Sequence, residues 1–193
     1  MGIHPYLEKL SGLLRETKVT DREGTPLSLE EGATRAVEMI LSVPHKIMLI
    51  GNGGSAAIAS HMQNDLCKAV GRRAMVFNES PLLTALSNDH GYESVFEKPV
   101  ELWAEPGDLL IAISSSGRSE NILRAAQVSR QGGCQIVTFS GFRSDNPLRQ
   151  LGDLNFYVAS ETYGHVEVTH MALTHFLTDC AMSVRPKIRD ARE

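Results

Sequence analysis

The 193-residue sequence is short of several things. It holds three cysteines, Cys67, Cys134 and Cys180, scattered and with no CxxC among them. That excludes a disulfide scaffold or a cysteine-rich metal site and predicts small apolar thiols in a reducing cytoplasm. No stretch reaches the roughly 18 uninterrupted apolar residues of a membrane span, and the N-terminus lacks the charged-then-apolar pattern of a secretory signal. A net charge of −4 leaves no basic excess, so neither nucleic acid nor an anionic membrane is an expected partner. Repeats and low-complexity tracts are also missing. What is there, 42% hydrophobic residues in a chain of this length, predicts one well-cored cytoplasmic domain.

Five apolar runs set the frame: Lys46–Ile50, Ala74–Phe77, Leu109–Ile113, Gln135–Phe139 and Leu154–Val158. Helical stretches lie between them at Ser55–Val70, Pro81–Ser87, Tyr92–Ala104 and Ser119–Gln131. Strands alternating with helices predict an α/β fold, a three-layer sandwich around a five-stranded parallel sheet. Outside this core the pattern predicts helices at about Pro5–Thr17 and Leu29–Ser42, joined by the polar, turn-rich Asp21–Pro26, and a long last helix from about His165 to Val184. The expected organisation is a single domain over 1–193, with a helical extension to about 43 and the core from about 44 onwards. Ligands of open parallel sheets bind beyond the carboxyl ends of the strands.

Two strand ends carry unusual chemistry. Gly51-Asn-Gly-Gly-Ser55 follows a buried strand and opens a helix. Its glycines admit positive φ and close backbone approach, Ser55 is a good N-cap, and the free N–H groups of the helix end suit a phosphate. A tight turn without a ligand has the same pattern. It is neither a Walker loop nor a GxGxxG fingerprint. Ser114-Ser-Ser-Gly-Arg-Ser119 repeats the arrangement, with four hydroxyls around Gly117, a set that can bind phosphate without a buried cation. Serines in a turn can also be formers and caps alone. Arg118 either adds charge there or faces solvent.

A third group joins two helices. His61 and Asp65 are four residues apart and share a helix face. Glu167 and His175 are eight apart on the last helix, with His165 and His170 nearby. Two imidazoles and two carboxylates are a reasonable donor set for Zn²⁺, although each pair is equally an ordinary polar contact by spacing alone.

Gly51-Asn-Gly-Gly-Ser55 together with Ser114-Ser-Ser-Gly-Arg-Ser119-Glu-Asn121 resembles the SIS (sugar isomerase) domain, and within it the phosphoheptose isomerase branch. The likeness runs from about Glu31 to Ser183 and includes Ser87-Asn88-Asp89-His-Gly-Tyr92. It implies an aldose–ketose isomerase converting D-sedoheptulose 7-phosphate to D-glycero-D-manno-heptose 7-phosphate through an enediol. It also implies one Zn²⁺ per subunit on His61, Asp65, Glu167 and His175, no organic cofactor, and a homotetramer. By the same resemblance Asp65 is the base and His175 the acid. Ser55, Ser114, Ser115, Ser116 and Ser119 hold the phosphate, while Asn52, Gly53, Gly54, Asn88, Asp89, Asp65 and Glu167 meet the sugar. The chain departs from the branch at Asp65, where the family has glutamate, at Glu167, where it has glutamine, and at Gly164, where it has a carboxylate. Those departures keep two alternatives open: an SIS isomerase or epimerase of another sugar phosphate, and a non-catalytic sugar-phosphate-binding SIS protein with a protein partner. Leu7, Leu10, Leu13 and Leu14 on the first helix need a partner, either their own subunit or another.

Overall fold

The computed structural model describes residues 2–184. In chain order they form α1 (Ile3–Arg15), β1 (Lys18–Asp21), β2 (Pro26–Leu27), α2 (Leu29–Ser42), β3 (Ile47–Gly51), α3 (Gly54–Asp65), β4 (Ala74–Val76), α4 (Ser80–His90), α5 (Glu97–Trp103), β5 (Leu109–Ser114), α6 (Glu120–Gln131), β6 (Gln135–Ser140), β7 (Leu154–Tyr157) and α7 (Tyr163–Val184). The last nine residues of the expected core, 185–193, lie outside the described residues.

β3 and β5 are buried along their whole length because helices cover both sheet faces. Their alternate residues feed two separate cores. Ile47, Leu49, Ile111 and Ile113 pack with Ile58, Met62 and Leu177 under α2, α3 and α7. Met48, Ile50, Leu110 and Ala112 pack with Phe96, Val100 and Ile122 under α5 and α6. The result is the expected three-layer α/β sandwich. α1 lies outside it, with buried Leu13 packed against Val158 and Val166 while Leu7 stays exposed. No helix of the described residues is long and apolar enough to cross a membrane.

Among the described residues the sheet has seven strands rather than five, in the order β2-β1-β7-β6-β5-β3-β4. β3 through β7 are parallel as expected, and β1 adds antiparallel to β7 with Val19 opposite Phe156. The N-terminal extension is therefore not purely helical. Asp21–Pro26 is the turn of a small hairpin, held by Asp21 Oδ1 accepting from the backbone N–H groups of Glu23 and Thr25. Asn155 fastens this added edge. Its side chain, 1% exposed, accepts from Thr138 Oγ1 at 2.7 Å and Gly152 N at 3.0 Å, and donates to the carbonyls of Thr20 and Asp21. Replacing Asn155 with alanine strands these groups, so unfolding in urea is expected to register a loss of about 3 kcal/mol.

Three helix boundaries differ from the sequence reading. Ser80–His90 extends the expected Pro81–Ser87 helix through Asn88 and Asp89. Tyr92–Ala104 splits into a short 3₁₀ turn (Tyr92–Ser94) and α5, because Pro99, which has no N–H to donate, fits only in a helix's first turn. The expected Ser55–Val70 helix gives way after Asp65 to a π turn over Leu66–Val70.

Candidate active site

Two turns meet above the carboxyl ends of β3 and β5, which pair in parallel with Gly51 beside Ile113. In the first, Gly53 caps α3 with φ +53°, a region that side-chain-bearing residues rarely enter. Ser55 is not the cap the sequence predicts; it is the second residue of α3, in its first turn, and buried. In the second turn Gly117 (φ +62°) lies so close to the buried Asn146 side chain that a Cβ there would overlap it. Gly117 N donates to Ser114 Oγ and Arg118 N donates to Ser116 Oγ, both at 3.2 Å. Ser114 Oγ and Ser119 Oγ are 3.3 Å apart.

Between the turns is a cavity of about 100 Å³, lined by Asn52, Ser55, Ser114, Ser115, Ser116, Ser119, Tyr163 and Glu167. Ser115 Oγ is buried there without a hydrogen-bond partner among the described residues. A buried hydroxyl left without a partner is costly, and an oxyanion in this cavity would supply one. Among the described residues no lysine or arginine lines it: Arg118 turns outward to Asp145, which Arg143 also grips in bidentate fashion. Larger apolar grooves flank Phe176 between α2 and α7, but they hold none of the expected site residues.

α3 links this cavity to a second cluster. Gly54, Ile58, His61 and Asp65 recur at i, i+4, i+7 and i+11 and so share one face, along which α7 runs. At one end the Glu167 carboxylate presses on Gly54, where a Cβ would overlap it. At the other end Asp65 Oδ2 is 3.4 Å from His61 Nε2 and 3.5 Å from His175 Nδ1, and the two imidazoles meet edge to face at 4.6 Å. The donor atoms of His61, Asp65 and His175 all lie within 4.8 Å of one another. Tetrahedral bonds of about 2.1 Å, usual for nitrogen and oxygen donors on a small divalent ion, put ligand atoms about 3.4 Å apart. Both measured separations match that edge, so the three residues can hold a metal and leave a position open.

Glu167 stands apart from this triad. It is eight residues before His175, about 12 Å along the helix axis, and its carboxylate belongs to the serine-lined cavity. The other nearby histidines stand apart too. His170 is fully buried and bonded through Nε2 to Ser140 O at 3.1 Å, and burial pushes its pKa down to about 4, which keeps it neutral. His165 stacks on Tyr6 with ring centroids 4.5 Å apart.

A family model described as the SIS domain matches residues 6–141. The chain belongs to the SIS domain family. Its relatives place it among the phosphoheptose isomerases of that family. The phosphoheptose isomerase of Aliarcobacter butzleri is 37% identical over 153 residues, covering 76% of this chain and 80% of the relative. That of Helicobacter pylori is 31% identical over 183 residues, covering 89% and 95%. The solved phosphoheptose isomerase from Neisseria gonorrhoeae superposes with a TM-score of 0.79 at 26% identity, over 94% of this chain and 97% of that one.

Measured against the SIS pattern, the structure brings Asn52, Ser55, the four serines of the second turn and Glu167 to one cavity, and His61, Asp65 and His175 to another point on α3. Asn88 and Asp89 join neither; they are exposed at the end of α4, bonded to each other at 2.8 Å. Sequence reasoning missed Tyr163 in the cavity wall and Asn146 behind Gly117. No local signal marks either, because each is placed by packing across the fold.

Proposed function

We propose that this SIS protein is a sugar-phosphate isomerase that interconverts D-sedoheptulose 7-phosphate and D-glycero-D-manno-heptose 7-phosphate. The observation that carries the reading is the placement of an anion cavity and a two-histidine, one-carboxylate triad at two points along the contact between α3 and α7. His61 is six positions after Ser55, about 9 Å along α3, comparable with the span from the phosphate to the carbonyl end of an extended heptose phosphate. The serine hydroxyls take the phosphate. Asn52, Glu167 and the Gly53–Gly54 backbone meet hydroxyls of the sugar, leaving C1 and C2 at the triad.

Isomerisation moves a proton between C1 and C2 through an enediol and needs a base on carbon, an acid on oxygen and stabilisation of the enediolate. Asp65 is the base. Its Oδ2 faces both imidazoles, while Oδ1, whose partner is Asn64 Nδ2 at 3.3 Å, is the oxygen left to carry the proton. His175 is the acid: its Nδ1 faces Asp65, and its Nε2 donates to the carbonyl oxygen. Zn²⁺ held by His61, Asp65 and His175 would polarise that carbonyl and stabilise the enediolate charge when bound. The enzyme acts in the cytoplasm as a homotetramer, a reading supported by the apolar residues left exposed on α1 (Ile3, Leu7) and α7 (Phe176, Met182).

A second reading, a different sugar phosphate, is favoured by the Glu167 carboxylate, which has no hydrogen-bond or ion-pair partner among the described residues and places an acidic group in the cavity wall. One experiment decides between the two. Purified protein is incubated with sedoheptulose 7-phosphate, and separately with pentose and hexose phosphates, and products are followed by NMR. Conversion of the heptulose is expected, with activity falling at least about tenfold after chelation and returning with Zn²⁺. Turnover of a pentose or hexose phosphate alone transfers the assignment to the second reading, and no turnover of any leaves a binding protein. Light scattering on the same sample is expected to give the mass of four chains.

A further inference from the structure

Asn52 is held by two residues that no part of the isomerase reading uses. Its side chain forms a reciprocal amide pair with Asn121, the second residue of α6: Asn52 Nδ2 donates to Asn121 Oδ1 at 2.9 Å, and Asn121 Nδ2 donates to Asn52 Oδ1 at 3.0 Å. The Tyr92 hydroxyl donates to the same Asn52 Oδ1 at 2.9 Å. Asn121 is 3% exposed, so the pair is sheltered from competing water on one side. A side-chain amide has two N–H donors and two oxygen lone pairs. Here the Asn52 oxygen is fully used and one N–H is committed to Asn121. Among the described residues one N–H is left over, on a side chain that lines the anion cavity.

We infer that Asn121 and Tyr92 are positioning residues that present Asn52 to the ligand as a hydrogen-bond donor. Asn52 belongs to the glycine turn after β3 and Asn121 to the helix that follows the serine turn, so the pair also ties the two halves of the cavity together. Unbonded, the Asn52 amide rotates freely and turns its oxygen toward the anion as readily as its nitrogen. Ordering it in advance lowers the cost of binding. The inference rests on the cavity being the phosphate cradle, and not on which sugar carries the phosphate.

The test uses the full chain and inorganic phosphate as the probe, with binding read by calorimetry and folding by thermal denaturation. Asn121→Ala is expected to weaken phosphate binding about tenfold, and Tyr92→Phe, which removes only a hydroxyl from a half-exposed ring and leaves folding intact, about threefold. The deciding readout is the background of Asn52→Ala. If Asn121 and Tyr92 act through Asn52, either change made there costs less than twofold further. Full additivity, or unchanged affinity in the single variants, overturns the inference while leaving the isomerase reading intact. Wild-type protein that binds phosphate without isomerising any sugar phosphate overturns the isomerase reading alone. Absence of phosphate binding by the wild type overturns the cradle and the inference with it.

Discussion

Asp65→Ala is expected to lower kcat/KM for the sugar phosphate at least a thousandfold and to abolish stoichiometric metal binding, while the fold persists. The reasons are geometric. Asp65 Oδ2 is the atom nearest both imidazoles, at 3.4 and 3.5 Å, so its removal takes away one of three donors and the base together. Loss of a general base alone costs about 10² to 10⁴ in rate, and the metal's contribution goes with it. Asp65 is partly exposed at the end of α3, where substitutions cost about 1 kcal/mol or less. Steady-state kinetics, elemental analysis and thermal denaturation read the three quantities separately. Retention of more than a tenth of the activity would remove Asp65 from the mechanism. Asp65→Glu sharpens the question, because the family resemblance implies the longer side chain. In this chain the aspartate already reaches both histidines, so the extra methylene displaces the carboxylate by about 1.5 Å and is expected to cost tens of fold in rate.

What the sequence revealed of this arrangement follows from the range of the interactions involved. β3, β5 and β6 are legible as apolar runs because burial on both faces leaves no polar side chain in β3, only the terminal Ser114 in β5 and only Gln135, Thr138 and Ser140 in β6. β1 is not. Lys18-Val-Thr-Asp is four residues long, and what makes it a strand is pairing with β7, more than 130 positions away. The two anion turns are legible because glycine at positive φ and clustered serines are local requirements. The division of labour along α7 is not. Periodicity puts Glu167 and His175 on neighbouring sides of the helix, but only its stagger against α3 decides that one meets Gly54 and the other Asp65. Asn121 lies within the serine motif, yet its partner is 69 residues earlier in the chain and no spacing rule predicts it.

The other large effect is expected at the opposite end of the sheet. Asp108 is fully buried where β3, β5 and β6 begin. Its Oδ1 accepts from Lys46 N at 3.0 Å, and its Oδ2 accepts from Glu105 N at 2.9 Å and from Lys46 Nζ at 2.7 Å. Lys46, its side chain only 12% exposed, also reaches Glu105 through Nζ at 2.6 Å. Asp108→Ala leaves two backbone donors and a nearly buried ammonium with only the exposed Glu105 to answer them. Removing one partner of a buried pair costs about 3–5 kcal/mol, so Tm is expected to fall by roughly 10 °C. A fall of less than about 2 °C would mean that water replaces the carboxylate at no cost. The pH dependence gives an independent check. Burial alone would lower the Lys46 pKa, but its bonds to Asp108 and Glu105 outweigh that and raise it above the ordinary 10.5. A cation whose pKa is raised by folding stabilises fully below its unfolded value and loses that contribution as pH climbs through the folded one. Wild-type stability should therefore fall above about pH 10.5, and Asp108→Ala should flatten the fall. Because this corner is a whole strand length from the anion cavity, urea melts of the variant should shift while its affinity for inorganic phosphate, measured well below its new Tm, stays at the wild-type value.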